Sequence, residues 1–162
     1  MTKIRKGSSP AHNAGGKLFT ELVLEVFRFN GRLVFVGDRL TKAIGLSTAR
    51  WQTLGAIAQA ESPLTVADIA RIMGLQRQSV QRTVNALVST GMVVTHDNPN
   101  HQRARLVSFT KQGRAAYEDT IAIQVEWAND TAAGLPEADL QGALRTLRSL
   151  RVKLEHPKRK KT

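Results

Sequence analysis

Between Thr65 and Gly91 the sequence reads TVADIARIMGLQRQSVQRTVNALVSTG, and few folds accommodate such a stretch. Thr65 and Asp68 match the [ST]-x-x-[DE] capping box, which opens a helix by satisfying its first free amides. Val66, Ile69, Ala70 and Met73 then recur at i, i+3, i+4 and i+7, the spacing of one buried face. Gly74 suits the left-handed residue that closes a helix, and Leu75 is expected to tuck beneath it. A second helix comes next, with Val80, Val84, Leu87 and Val88 expected inside and Gly91 as its stop. The segment is therefore two helices joined by a tight turn.

The outer face of the second helix carries Arg77, Gln78, Gln81, Arg82 and Asn85, with Ser79 among them and no acid. Arginine matches the acceptor pair of guanine in the major groove, and Gln or Asn matches the donor–acceptor pair of adenine. A short helix, a glycine turn and a helix with that face form the helix-turn-helix plan. Taken alone, the same face also suits an ordinary solvated helical hairpin.

Residues 92–109 narrow the choice. Met92 to His96 and Arg105 to Phe109 are β-branched, apolar runs on either side of Asp97-Asn-Pro-Asn-His-Gln-Arg103, a turn-rich segment with a basic tip. Helix-turn-helix plus hairpin makes a winged helix, and Leu64-Thr65 is expected to supply a short strand that pairs with the wing. The order resembles the MarR family of bacterial winged-helix regulators over about residues 18–154. The residues that carry the resemblance are Gln78-Ser-Val-Gln-Arg82, Asn85, Leu87, Gly91-Met-Val93, Arg103, Leu106-Val-Ser-Phe-Thr110 and Gly113. It implies a mainly α fold, a winged helix at 48–109 and dimerisation helices at 18–44 and 111–154. It also implies a transcriptional repressor that binds a palindromic operator as a homodimer and is released by a small aromatic or phenolic effector. The expected DNA-binding residues are Arg77, Gln78, Ser79, Gln81, Arg82, Asn85, Arg103 and Arg105. For the effector only Arg50 and Trp51 stand out, and Trp51 also reads as plain core. Two departures from the family pattern matter. Gln76 precedes the recognition helix, where relatives often carry a better capping Ser or Thr. His101 stands two residues before the wing arginine, where relatives often carry an Asp that holds it, so Arg103 is left to be oriented by Asp97 or by nothing.

Charge and composition agree with this reading. The net charge of +11 is concentrated at the ends: Lys3, Arg5, Lys6, Lys17, Lys158, Arg159, Lys160 and Lys161 have no acid among them. Without those eight, 16 basic residues face 13 acidic ones. Within 64–109, five arginines (71, 77, 82, 103 and 105) face only Asp68 and Asp97. Basic tails are expected at 1–16, which should be disordered, and at 155–162, and both add sequence-independent attraction to polyanions. The remaining 17–154 reads as one domain.

Before the winged helix, a long helix is expected from Leu18 to about Ile44, with Gly31 and Gly37 as possible bends. Ser47 should cap the next helix, Thr48–Ala60, whose Trp51, Leu54 and Ile57 face the core. Beyond Thr110, one helix runs to Gly134 and another starts at Pro136, with Leu140, Leu144, Leu147 and Leu150 along it. The first long helix carries more apolar residues than one stripe uses, including Phe19, Phe27, Phe29 and Phe35, which points to a partner chain.

Other classes fit less well. There are no cysteines, hence no disulfide, thiolate metal site or thiol switch. His96, Asp97 and His101 read as a solvated loop rather than metal ligands, and no nucleophile, paired-acid or phosphate-cradling motif is present. The chain is therefore expected to be neither an enzyme nor a cofactor binder. The absence of a signal-peptide core and of an apolar run of about 18 residues argues for a cytoplasmic protein with no membrane span. A winged helix that binds RNA or a protein partner is the alternative.

Overall fold

The structure is a computed structural model and describes residues 11–156. Nine main elements follow one another among the described residues: α1 (Ala14–Thr41), α2 (Thr48–Ala58), β1 (Leu64–Thr65), α3 (Val66–Met73), α4 (Arg77–Ser89), β2 (Val93–His96), β3 (Leu106–Phe109), α5 (Lys111–Ala132) and α6 (Glu137–Glu155). The chain is mainly helical with one small antiparallel sheet, in the order β1-β3-β2. Two compact units divide at Ile121/Ala122, within α5. Among the described residues, no helix is long and apolar enough to cross a membrane.

In the first unit, α1 begins at Ala14 rather than Leu18. Asn13 caps it, its Oδ1 accepting from the Gly16 amide at 2.7 Å. That bond offsets the poor helix propensity of Gly15 and Gly16, on which the expectation of disorder to residue 16 had rested. The rest of the two basic tails, 1–10 and 157–162, lies outside the described residues. The helix also runs through Gly31 and Gly37 without interruption. Gly37 is needed for space rather than for a bend: a side-chain carbon there would sit 2.5 Å from the Thr48 hydroxyl. That hydroxyl donates to the Val34 carbonyl, the Thr48 amide donates to Asp38, and the buried Thr41 hydroxyl bridges toward Leu46. These bonds fasten α2 to the end of α1. A 3₁₀ turn, Lys42–Ile44, and left-handed Gly45 make the corner.

The core gathers Leu46, Leu54, Ile57, Val66, Ile69, Ala70, Val80, Val84, Leu87, Met92, Val93 and Val107. Trp51 is not part of it and stays half-buried; the side chain that enters from its turn is Thr53, whose hydroxyl is satisfied by Ala49. Tyr117 and Phe109 pack at the edge of this core with ring centroids 5.8 Å apart, a contact that places the start of α5 against the sheet.

The second unit holds the end of α5 and all of α6, joined through Gly134 at φ 81° and Pro136. Leu140, Leu144, Leu147 and Leu154 of α6 are exposed, as are Leu18, Phe27, Phe29 and Phe35 of α1.

One residue ties the sheet to the helix pair. Thr65 pairs with Leu106 in the sheet and is also the N-cap of α3. Its hydroxyl accepts from the Asp68 amide, and the Asp68 carboxylate accepts from the Thr65 amide at 3.1 Å, completing the capping box. The Thr65 hydroxyl beside it is the main reason the Asp68 carboxyl titrates below its ordinary value of 3.8. A lowered acid stabilises the fold in full above that value, and the contribution disappears as pH falls through the folded-state value. Thr65→Ala should cost about 1 kcal/mol near neutrality. It should also make the acid limb of stability shallower below about pH 4, as measured by denaturant midpoints across pH. An acid limb of unchanged slope would show that the box contributes nothing to it.

Candidate nucleic-acid interface

The turn between α3 and α4 forms as its sequence dictates. Gly74 is left-handed at φ 64°, and the Leu75 amide reaches back to the Ala70 carbonyl at 2.9 Å. The Leu75 side chain does not follow its backbone inward; it is 50% exposed. Gln76 offers no side-chain bond to the start of α4, as its identity suggested.

On α4, Val80, Val84 and Leu87 are buried, but Val88 is 41% exposed. The cause is rotational: Val88 lies one step beyond Leu87 and three beyond Asn85, which brings it round to the polar side. Arg77, Gln78, Gln81, Arg82 and Asn85 are all exposed, while Ser79 is half-buried. They form two neighbouring stripes, Arg77-Gln81-Asn85 and Gln78-Arg82, each stepping by four. Gln81 donates to the Asn85 side-chain oxygen at 2.9 Å, so these two amides are already oriented against each other.

The hairpin stands beside this face. Val93 pairs with Phe109, Thr95 with Val107 and His96 with Leu106, so each strand is one residue shorter than the sequence suggested. Met92 lies opposite Thr110 in the same register, and its carbonyl accepts from the Thr110 amide at 3.1 Å, so the pairing ends there on one backbone bond. The tip is shaped by a side-chain turn at Asn98, whose Oδ1 accepts from the Asn100 amide, and by the His101 and Ala104 amides. Asp97 does not hold Arg103. It lies 3.6 Å from Arg105, whose guanidinium also donates to the Thr95 carbonyl at 3.1 Å. Arg105 is thus drawn against its own hairpin, and Arg103 is exposed with no ion pair among the described residues.

Between the hairpin, α4 and α3 opens a cleft of about 1100 Å³. Arg77, Gln81, Asn85 and Val88 line one side, and His101, Arg103 and Arg105 line another. Sequence reasoning brought Arg77, Gln81, Asn85, Arg103 and Arg105 to this place; Gln78, Ser79 and Arg82 lie on α4 outside the lining. It missed Arg71 and His101, which also border the cleft. For Arg71 the available signal was its i, i+3 relation to Asp68.

Arg50 borders a separate hollow of about 410 Å³ together with Asp38, Lys42 and Ser47, and Trp51 is not among its walls. Asp38 already accepts from the Thr48 amide there, which lowers its carboxyl below the ordinary range.

The sequence model of the MarR family matches residues 44–104, from the corner before α2 to the wing tip. The Mycobacterium tuberculosis protein Rv2011c is 33% identical over 134 residues, 83% of this chain and 92% of its own. This chain belongs to the MarR family. The MarR fold itself is matched by a mutant MarR of E. coli complexed with operator DNA, at 18% identity and a TM-score of 0.74, covering 86% of this chain and 99% of that one. CouR from Rhodococcus jostii, bound to p-coumaroyl-CoA, matches at 21% identity and a TM-score of 0.71 over 80% and 90% of the two chains. MarR proteins regulate transcription through DNA and are not enzymes, and as a member this chain is a DNA-binding regulator with a winged helix.

Proposed function

We propose that this MarR protein reads a palindromic operator as a homodimer and represses the promoter it occupies. The observation that carries the reading is the acid-free amide and arginine face of α4, which stands across a cleft from Arg103. Gln81, Arg82 and Asn85 read base edges in the major groove, while Arg77 and Gln78 act nearer the phosphates. The dimer is supported by the apolar surface left on α1 and on α6, since Phe27, Phe29, Leu144 and Leu154 are each at least half exposed. Those helices supply the dimerisation layer, and 17–154 works as one MarR-like domain with the protein in the cytoplasm beside its operator. Release follows binding of a small aromatic or phenolic anion; Arg50 and Lys42 are the cations at the one hollow we assign to it.

Selection of bound duplexes from random DNA should return an inverted repeat with half-sites about one helical turn apart, ~34–36 Å. Light scattering should give twice the chain mass of 17.8 kDa. A monomer at micromolar concentration would remove the dimer. Enrichment of structured RNA but no duplex DNA would favour the RNA-binding alternative, and a lower reporter signal on gene deletion would make the protein an activator.

The wing should enter the minor groove flanking each half-site through Arg103, because a guanidinium suits the strong negative potential of a narrow A·T-rich groove. Arg105, already bonded to Thr95 and close to Asp97, serves the backbone or the hairpin itself. Footprinting with Arg103→Ala should show lost flanking protection and an intact core footprint. Unchanged affinity and unchanged flanks would leave the wing a structural hairpin.

A further inference from the structure

Arg71 lies outside both the recognition helix and the wing, yet it borders the same cleft. Its side chain is 75% exposed, and one guanidinium nitrogen donates to Asp68 Oδ1 at 2.9 Å. Asp68 is not free to follow it. The other carboxylate oxygen accepts from the Thr65 amide at 3.1 Å and from the Thr65 hydroxyl at 2.6 Å. The acid is thereby fixed by the capping box, and through it one edge of the guanidinium is fixed too.

An ion pair this exposed adds little to stability. Its geometry has another effect. Arginine carries five N–H donors in a rigid fork, and Asp68 engages only one edge, so the remaining donors stay exposed at the cleft. Asp68 is the single acid among the lining residues, against Arg71, Arg77, Arg103 and Arg105. It also spends its charge on its own helix start and on Arg71, so the cleft keeps an attractive field for an anion. Val88, which is exposed, borders the cleft as well.

We infer that Arg71 is a contact to the DNA phosphate backbone, positioned by Asp68, so that α3 grips the strand from a third side of the cleft. The inference rests on the DNA-binding reading above and adds a residue and a wall to it. Arg28, which bonds Glu25 at 3.2 Å on α1 with the same i, i+3 spacing, borders no part of the cleft and serves as the control.

The experiment titrates the full-length protein with the selected duplex and with a random duplex of equal length, between about 50 and 200 mM salt. Arg71→Ala should weaken both about tenfold, the order of one charge-assisted contact. It should also reduce the slope of log K against log salt by about 1 for each contact removed, while Arg71→Lys keeps the slope and Arg28→Ala leaves it unchanged. Asp68→Asn tests the positioning. Loss of an acid raises affinity by charge alone, and that gain should appear in full only where Arg71 is already alanine. Equal gains in both backgrounds would remove Asp68 from the role. If wild type binds the selected sequence preferentially and Arg71→Ala keeps its full salt slope, or Arg28→Ala lowers it as much, the Arg71 contact is refuted and the DNA-binding reading stands. If wild type shows no salt-dependent binding to either duplex, that reading fails with it.

Discussion

Replacing Gln81 or Arg82 with alanine is expected to cost about 1–3 kcal/mol of operator affinity for each substitution and to relax preference at particular base pairs. The two residues occupy adjacent stripes of α4 and are both exposed. They differ in preparation. Gln81 is bonded to Asn85, so its amide is oriented before any base arrives, whereas Arg82 has no ion pair among the described residues. Gln81→Ala should therefore also disturb the base pair read by Asn85, and the double change Gln81→Ala, Asn85→Ala should cost less than the sum of the two singles. Arg82→Ala should act on one position alone. Quantitative binding to a panel of single-base operator variants distinguishes these outcomes. Equal losses on specific and random DNA would make both residues phosphate contacts rather than base readers.

The second large effect concerns stability. Gly113→Ala should destabilise the protein by about 3 kcal/mol or more, at or above the upper end of ordinary overpacking. Gly113 is buried in the first turn of α5, and a side-chain carbon there would run into the backbone carbonyl of Met92. A flexible neighbour could swing aside; a carbonyl between α4 and β2 cannot. That carbonyl already accepts from the Thr110 amide, and the Thr110 hydroxyl in turn accepts from the Gly113 amide at 3.0 Å. Chemical denaturation reads the loss directly. A fall below about 1 kcal/mol, the ordinary range for a tolerated change, would mean that the α5 start shifts freely against the sheet.

Most of the winged helix was legible in the sequence because its signals are local. A threonine and an aspartate three apart made the capping box, Gly74 and Gly91 took the left-handed conformation, and two β-branched runs made the hairpin. The misreadings arose where the answer depends on neighbours distant in sequence. Val88 continues the apolar spacing of α4, yet the core ends at Leu87 and leaves it beside the cleft. Trp51 has the composition of a core residue, but Thr53 takes the inward place with its hydroxyl satisfied locally. Whether Asp97 or nothing would orient Arg103 could not be read from the sequence, because Asp97 faces Arg105, which the Thr95 carbonyl also holds. The Asn13 cap was missed, because the two glycines that follow it have poor helix propensity and pointed to disorder. Arg50 was singled out from the sequence, but the other walls of its hollow were not, since they belong to a corner that brings Asp38 and Ser47 to it only after folding.

The recognition helix begins without a cap of its own. Gln76 makes no side-chain bond to α4, and the first turn of that helix contains no acid. Its leading amides are therefore left for solvent in the free protein, at a cost of about 1 kcal/mol relative to a well-capped helix. In the DNA-bound state proposed here, a phosphate oxygen at that end would be the acceptor the chain itself does not provide. The operator would then complete a secondary-structure element of the protein as well as occupy it. Fraying of the Arg77 turn, followed by amide hydrogen exchange, would be quenched by the ligand, and a serine at position 76 would stabilise the free protein while narrowing the difference between its free and bound states.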